Sequence, residues 1–127
     1  MPIVRIDIIK NQDNGYIGKI GHIVYQAMRT AISVPESDNF QVLNEHDREH
    51  FVYDAKYLGI TRTDRLVIIQ ITLNEGRTLD QKKRLYKTVA DELNQQLGIS
   101  PGDVFINLVE VKKENWSFGN GIAQYAD

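Results

Sequence analysis

Residues set far apart in this chain could together perform acid–base chemistry on a small anionic carbonyl compound. Proline stands second, in MPIVRIDII. Initiator methionine is normally trimmed before a small residue, so the mature chain is expected to begin with the secondary amine of Pro2. An α-amine has a reference pKa of about 7.7–8.0, and a modest downward shift leaves it a base at neutral pH. Arg77, in NEGRT, can grip a carboxylate through parallel hydrogen bonds. Asp38, in VPESDNF, offers a carboxylate to water or a carbonyl. Trp116 and Phe118, in NWSFGNG, could form an apolar wall; such a wall and a nearby arginine both push an amine toward its neutral form. Each residue also has a plain structural reading. Pro2 could simply begin a strand, Arg77 could be solvated, Asp38 could satisfy a turn, and the aromatic pair could be core.

Two further motifs carry less. HDREH matches the H-x-x-E-H pattern with His46, Glu49 and His50, but that chemistry needs a helix to align the histidines. Here it lies between the strand-like runs NFQVL and HFVYD, so a polar surface turn is expected. GNG at Gly119 to Gly121 lacks the spacing and context of a dinucleotide or phosphate loop and reads as a turn.

The elements that must hold these residues follow from periodicity. In RTLDQKKRLYKTVADELNQQLGIS, Thr78 and Gln81 form a capping-box signature. Leu79, Leu85, Tyr86, Val89, Ala90, Leu93 and Leu97 follow helical spacing, Gly98 is the C-cap and Pro101 blocks continuation. RLVIIQITL and DVFINLVEV, on either side, are β-branched-rich strands. The first half repeats the plan, with a strand in PIVRIDII, a helix from about Tyr16 to Ser33 and a strand in NFQVL after the break at Pro35. Gly18 and Gly21 weaken that helix by about 1 kcal/mol each relative to alanine. The duplicated β-α-β pattern, about 2–45 and 65–111, predicts a two-layer α+β fold: a four-stranded sheet with both helices on one face. In LVIIQITL, Val67, Ile69, Ile71 and Leu73 share one side while Leu66, Ile68, Gln70 and Thr72 share the other. The second side, Leu66 and Ile68 included, is expected to lack cover within one chain and to be covered by self-association.

Composition narrows the classes. At 127 residues, one domain over 1–127 is expected, burying roughly two thirds of its unfolded surface. No run of about 18 apolar residues is present, which argues against a membrane-spanning helix. Arg5, Asp7 and Lys10 interrupt the N-terminal apolar run, so it does not read as a secretory signal. Zero cysteines fits a reducing cytoplasm and removes thiolate chemistry. A formal charge of −2 gives no reason to expect nucleic acid or an anionic membrane, so small molecules or proteins are the expected partners.

MPIVRIDII, VPESDNFQ, DQKKRLYK, GISPGDVFINLVE and NWSFGNG together resemble the tautomerase superfamily (4-oxalocrotonate tautomerase and macrophage migration inhibitory factor-like proteins) over essentially the whole chain. Within it, the likeness is to the malonate semialdehyde decarboxylases. The resemblance implies the same β-α-β fold, a homotrimer, and catalysis with no metal or organic cofactor. It also implies that Pro2 is the catalytic proline, Asp38 the decarboxylase's aspartate, Arg77 the second of its two arginines, and Trp116 with Phe118 its apolar wall. One position departs: Glu75 stands where that pattern has its first arginine. The implied activity is keto–enol tautomerisation of a small 2-oxo acid. Decarboxylation of a 3-oxo acid such as malonate semialdehyde is the alternative, and a non-catalytic trimeric interaction protein is a third reading.

Overall fold

The computed structural model describes residues 2–11 and 13–126. Its better-marked helix, α2 (Leu79–Leu97), forms where its end signals put it. Thr78 Oγ1 accepts from the Gln81 N–H at 3.2 Å, and Gln81 Oε1 accepts from the Thr78 N–H at 2.8 Å, closing the capping box. Gly98, at φ 68°, ends the helix in the left-handed region, and its N–H donates to Asn94 O. Leu85, Val89 and Leu93 are completely buried along its inner stripe.

The first helix, α1 (Tyr16–Ile32), starts at Gly15 without a side-chain cap and ends at Ser33 in the left-handed region. Its two interior glycines differ in role. At Gly21 the helix lies close against the sheet: Gln41 Nε2 donates to Gly21 O at 2.7 Å, and an added Cβ would collide with Gln41 Oε1. The lost helix propensity therefore accompanies a close packing contact there. Gly18 faces open space, and no contact in the structure explains it.

Four strands form the sheet: β1 (Ile3–Ile9), β2 (Phe40–His46), β3 (Val67–Asn74) and β4 (Val104–Val111), in the order β2-β1-β3-β4. The β1–β2 and β3–β4 pairs are parallel, each bracketing one helix, and β1 meets β3 antiparallel at the centre. Val4, Ile6 and Ile8 from β1 and Val67, Ile69, Ile71 and Leu73 from β3 are buried in one cluster with the inner stripes of both helices. Both helices therefore cover the same face, in a four-stranded, two-layer α+β architecture. Residues such as Ile6, Ile20, Ile69 and Leu85 each gain roughly 1.5–3 kcal/mol from full burial before entropy is counted.

The opposite face corrects one expectation. Leu66 is 1% exposed within a single chain, because residues 47–65, between β2 and β3, fold back over that end of the sheet. Val52, Tyr53, Tyr57 and Arg62 meet Leu66, Ile68 and Phe105 around a cavity of about 240 Å³. Buried Asp103 secures this excursion by accepting from the Thr63 N–H at 2.7 Å and from Thr63 Oγ1 at 2.6 Å. Asp64 accepts from Arg48 Nε and from the Tyr53 hydroxyl, both at 2.7 Å, and these contacts hold its carboxyl below the usual carboxylate range, Arg48 first. HFVYD is not a strand: Phe51 is buried and Val52 is 91% exposed, but none of the described strands pairs with it. Arg48–His50 forms a single 3₁₀ turn, as expected of HDREH. Beyond Leu66 the face stays open, with Phe40 at 54% and Phe105 at 45% exposure.

Candidate functional site

Strand directions decide which residues meet. Parallel β1 and β2 begin side by side, with Ile3 opposite Phe40. Antiparallel β3 ends at that same edge, with Thr72 opposite Ile3. Parallel β4 ends there too, with Val111 opposite Asn74. Pro2, Asp38, Arg77 and the segment beyond β4 therefore emerge at one end of the sheet, although they span most of the chain. Such strand ends, supported by a rigid sheet, are where α/β architectures gather ligand-binding groups.

Buried Pro2 lines a cavity of about 200 Å³ with Ile3, Phe40, Trp116, Ser117 and Phe118. Two larger grooves, of about 450 and 470 Å³, lie along the helices and hold none of the candidate residues. Trp116 and Phe118 stack with ring centroids 5.3 Å apart and planes inclined by 18°. Tyr125 meets Phe118 edge-on at 5.0 Å. Gln124 secures this end of the chain: its Oε1 accepts from the Phe118 N–H and its Nε2 donates to Gly119 O, both at 2.9 Å. Gly119 at φ 142° and Gly121 at φ 68° let the chain reverse here, so GNG is the turn expected. The aromatic wall beside Pro2 is thus stacked and tied rather than loose.

Arg77 is half-buried, and its Nη1 donates to Asn74 O at 3.2 Å. That bond restrains the guanidinium near the end of β3, while the rest of its donor fork can address an anion. Asp38 is half-buried in the approach to β2, where its N–H donates to Pro35 O at 3.2 Å and its Oδ1 is shielded from solvent. Glu75 is exposed, with its N–H bonded to Val111 O at 2.9 Å. Pro2, Trp116 and Phe118 share the cavity directly, whereas Arg77 and Asp38 stand at the same end without lining it. The expected removal of Met1 concerns a residue outside the described ones.

Sequence reasoning missed Phe40, Ser117 and Asn74 as neighbours of these groups. Asn74 Oδ1 accepts from Trp116 Nε1 at 2.7 Å. A lone asparagine ending an apolar strand was the available signal, but its partner lies 42 positions away in sequence. At the other end of the sheet, His46 Nε2 lies 2.6 Å from Asp7 Oδ1, joining β2 to β1 well away from Pro2.

Comparison with known proteins identifies the family and the fold. A family model described as a tautomerase enzyme matches residues 38–119. The chain is 41% identical over 124 residues to the probable tautomerase YusQ of Bacillus subtilis (strain 168), covering 98% of each. Among solved structures, the FG41 malonate semialdehyde decarboxylase inhibited by 3-bromopropiolate superimposes with a TM-score of 0.89 at 32% identity, covering 97% of this chain and 93% of that one. A fused 4-OT symmetric trimer shares the fold alone, with a TM-score of 0.78 at 18% identity and 98% of each chain covered. With the β-α-β fold, full-length similarity and a family match over most of its length, this chain belongs to the tautomerase enzyme family and is an enzyme of the tautomerase superfamily.

Proposed function

We propose that the enzyme catalyses keto–enol tautomerisation of a small 2-oxo acid, with the free amine of Pro2 as proton carrier. The observation that carries this reading is the cavity of about 200 Å³ shared by Pro2, Phe40, Trp116 and Phe118. Neutral Pro2 takes the proton from the enol hydroxyl, and Arg77 holds the substrate carboxylate. Pro2, now protonated, returns that proton to the neighbouring carbon as the carbonyl forms, so the proton count is unchanged over the cycle. The apolar wall favours the neutral amine between turnovers. Asp38 orients water or the carbonyl. The reaction so written draws only on groups of the chain, which acts as one domain built from two β-α-β units, in the cytoplasm.

Similarity to a malonate semialdehyde decarboxylase supports a second reading. There, protonated Pro2 polarises the carbonyl of a 3-oxo acid, or the neutral amine adds to that carbonyl and expels water to form an iminium, which water hydrolyses after decarboxylation to release the product and free Pro2. The bond to the carboxylate breaks, carbon dioxide leaves, and the electron pair on carbon is then protonated. Glu75, standing where the resembling pattern has an arginine, is expected to oppose this version by repelling the substrate carboxylate. Unit charges at about 4 Å interact by about 4 kcal/mol at an effective dielectric near 20, and exposure of Glu75 cuts this heavily. A surviving 1.4 kcal/mol would still cost about tenfold. Enol phenylpyruvate ketonisation and malonate semialdehyde decarboxylation, assayed side by side, test the two. The expected result is ready ketonisation and weak decarboxylation, with Glu75→Arg raising the latter about tenfold. Efficient decarboxylation by the unmodified protein, undiminished by salt, would put the second reading first.

The enzyme is also proposed to be a homotrimer. Phe40, Val42, Phe105 and Val109 leave exposed apolar surface on the sheet face that the helices do not cover, and one protein sharing the fold is a trimer. Light scattering during gel filtration should give about three chains per particle. A stable monomer at micromolar concentration would contradict it.

A further inference from the structure

We infer that Asn74 is a positioning residue that sets the aromatic wall through its side chain and Arg77 through its main chain. The inference rests on the reading that Pro2, Trp116 and Arg77 form the site. Asn74 is the last residue of β3 and is paired with Val111 of β4, so its backbone is fixed by the sheet. Its Oδ1 accepts from Trp116 Nε1 at 2.7 Å, and its main-chain oxygen accepts from Arg77 Nη1 at 3.2 Å. Both acceptors belong to one rigid residue, so the indole and the guanidinium share a common reference point.

The two anchors respond differently to substitution. A side-chain change at Asn74 leaves the main-chain acceptor for Arg77 in place and removes only the acceptor for Trp116. A half-buried indole N–H without an acceptor is costly, and the ring turns to find another partner or water. Phe118, stacked on that ring, loses its support, and the wall beside Pro2 moves. Lost placement by a fraction of an ångström is enough to slow a proton transfer. The effect of the Asn74 side chain should therefore travel through Trp116 alone.

Trp116 is the only tryptophan, so its emission reports this contact without reference to turnover. Asn74→Leu keeps the approximate size and removes the acceptor, whereas Asn74→Asp keeps an acceptor oxygen. With circular dichroism used to select folded variants, Asn74→Leu should shift the emission maximum and raise acrylamide quenching about twofold, while lowering kcat/KM on enol phenylpyruvate about tenfold. Asn74→Asp should restore the wild-type quenching. In a Trp116→Phe background, Asn74→Leu should change kcat/KM less than about twofold, since the coupled partner is already gone. Wild-type emission and quenching in Asn74→Leu would overturn the inference. An equal kinetic loss with and without Trp116 would overturn it as well. If the unmodified protein turned over no 2-oxo acid, the Pro2 reading would fail while quenching would still decide whether Asn74 holds the indole.

Discussion

Protein retaining Met1 should lose about 10²–10⁴-fold in kcat/KM relative to protein that begins at Pro2, the range that a positioned acid–base group supplies. A peptide bond to Met1 turns the secondary amine into an amide, whose nitrogen carries no usable lone pair. The loss follows from removing the proton carrier and needs no disturbance of the fold. Intact mass spectrometry of each preparation, read beside its kinetics, makes the comparison direct. Treatment with a methionine aminopeptidase should recover activity in proportion to the fraction of chains trimmed. Pro2→Ala preserves an amine but makes it primary and less constrained, so its loss should be partial. The sign of the pH dependence is an independent check. If the neutral amine is the working form, kcat/KM rises with pH through the amine's titration and then levels; a decarboxylase using the protonated amine shows the reverse. A fully Met1-retaining sample with undiminished activity would remove Pro2 from the mechanism.

Arg77→Ala should lower kcat/KM about 10²-fold on substrates bearing a carboxylate, chiefly through KM. Charge-assisted hydrogen bonds contribute about 1.5–3 kcal/mol each, and about 2.7 kcal/mol corresponds to a hundredfold. Arg77→Lys should recover only part of the loss, because a point charge cannot reproduce a planar fork. Arg77→Ala also removes the bond to Asn74 O, a single half-exposed contact at a turn, so thermal stability should fall little. Near-wild-type kinetics on a carboxylate substrate, set against a lowered melting temperature, would assign Arg77 to the turn alone.

Local chemistry accounts for what the amino-acid sequence determined unaided. The capping box at Thr78, the left-handed Gly98, the alternation in Val67–Leu73 and the spacing of Leu85, Val89 and Leu93 each depend on residues a few positions apart. Such signals placed six elements within a few residues of their observed bounds, and the paired β-α-β order led to the sheet and its helix-covered face. The candidate site was legible only as a combination, since a proline amine, an arginine, a turn aspartate and an aromatic pair each also have a plain structural reading and suggest acid–base chemistry only together. Only tertiary structure decided where they stand. The pairing of Ile3 with Phe40 and Thr72, and of Asn74 with Val111, brings strand starts and strand ends to one edge. Leu66 loses its exposure because Asp103 captures Thr63 across 40 positions, a contact that no local pattern encodes. Likewise, Asn74 acquires significance only when the chain brings the Trp116 indole to it. Periodicity records which face of an element is apolar, whereas the partner of a buried polar atom depends on how the whole chain closes.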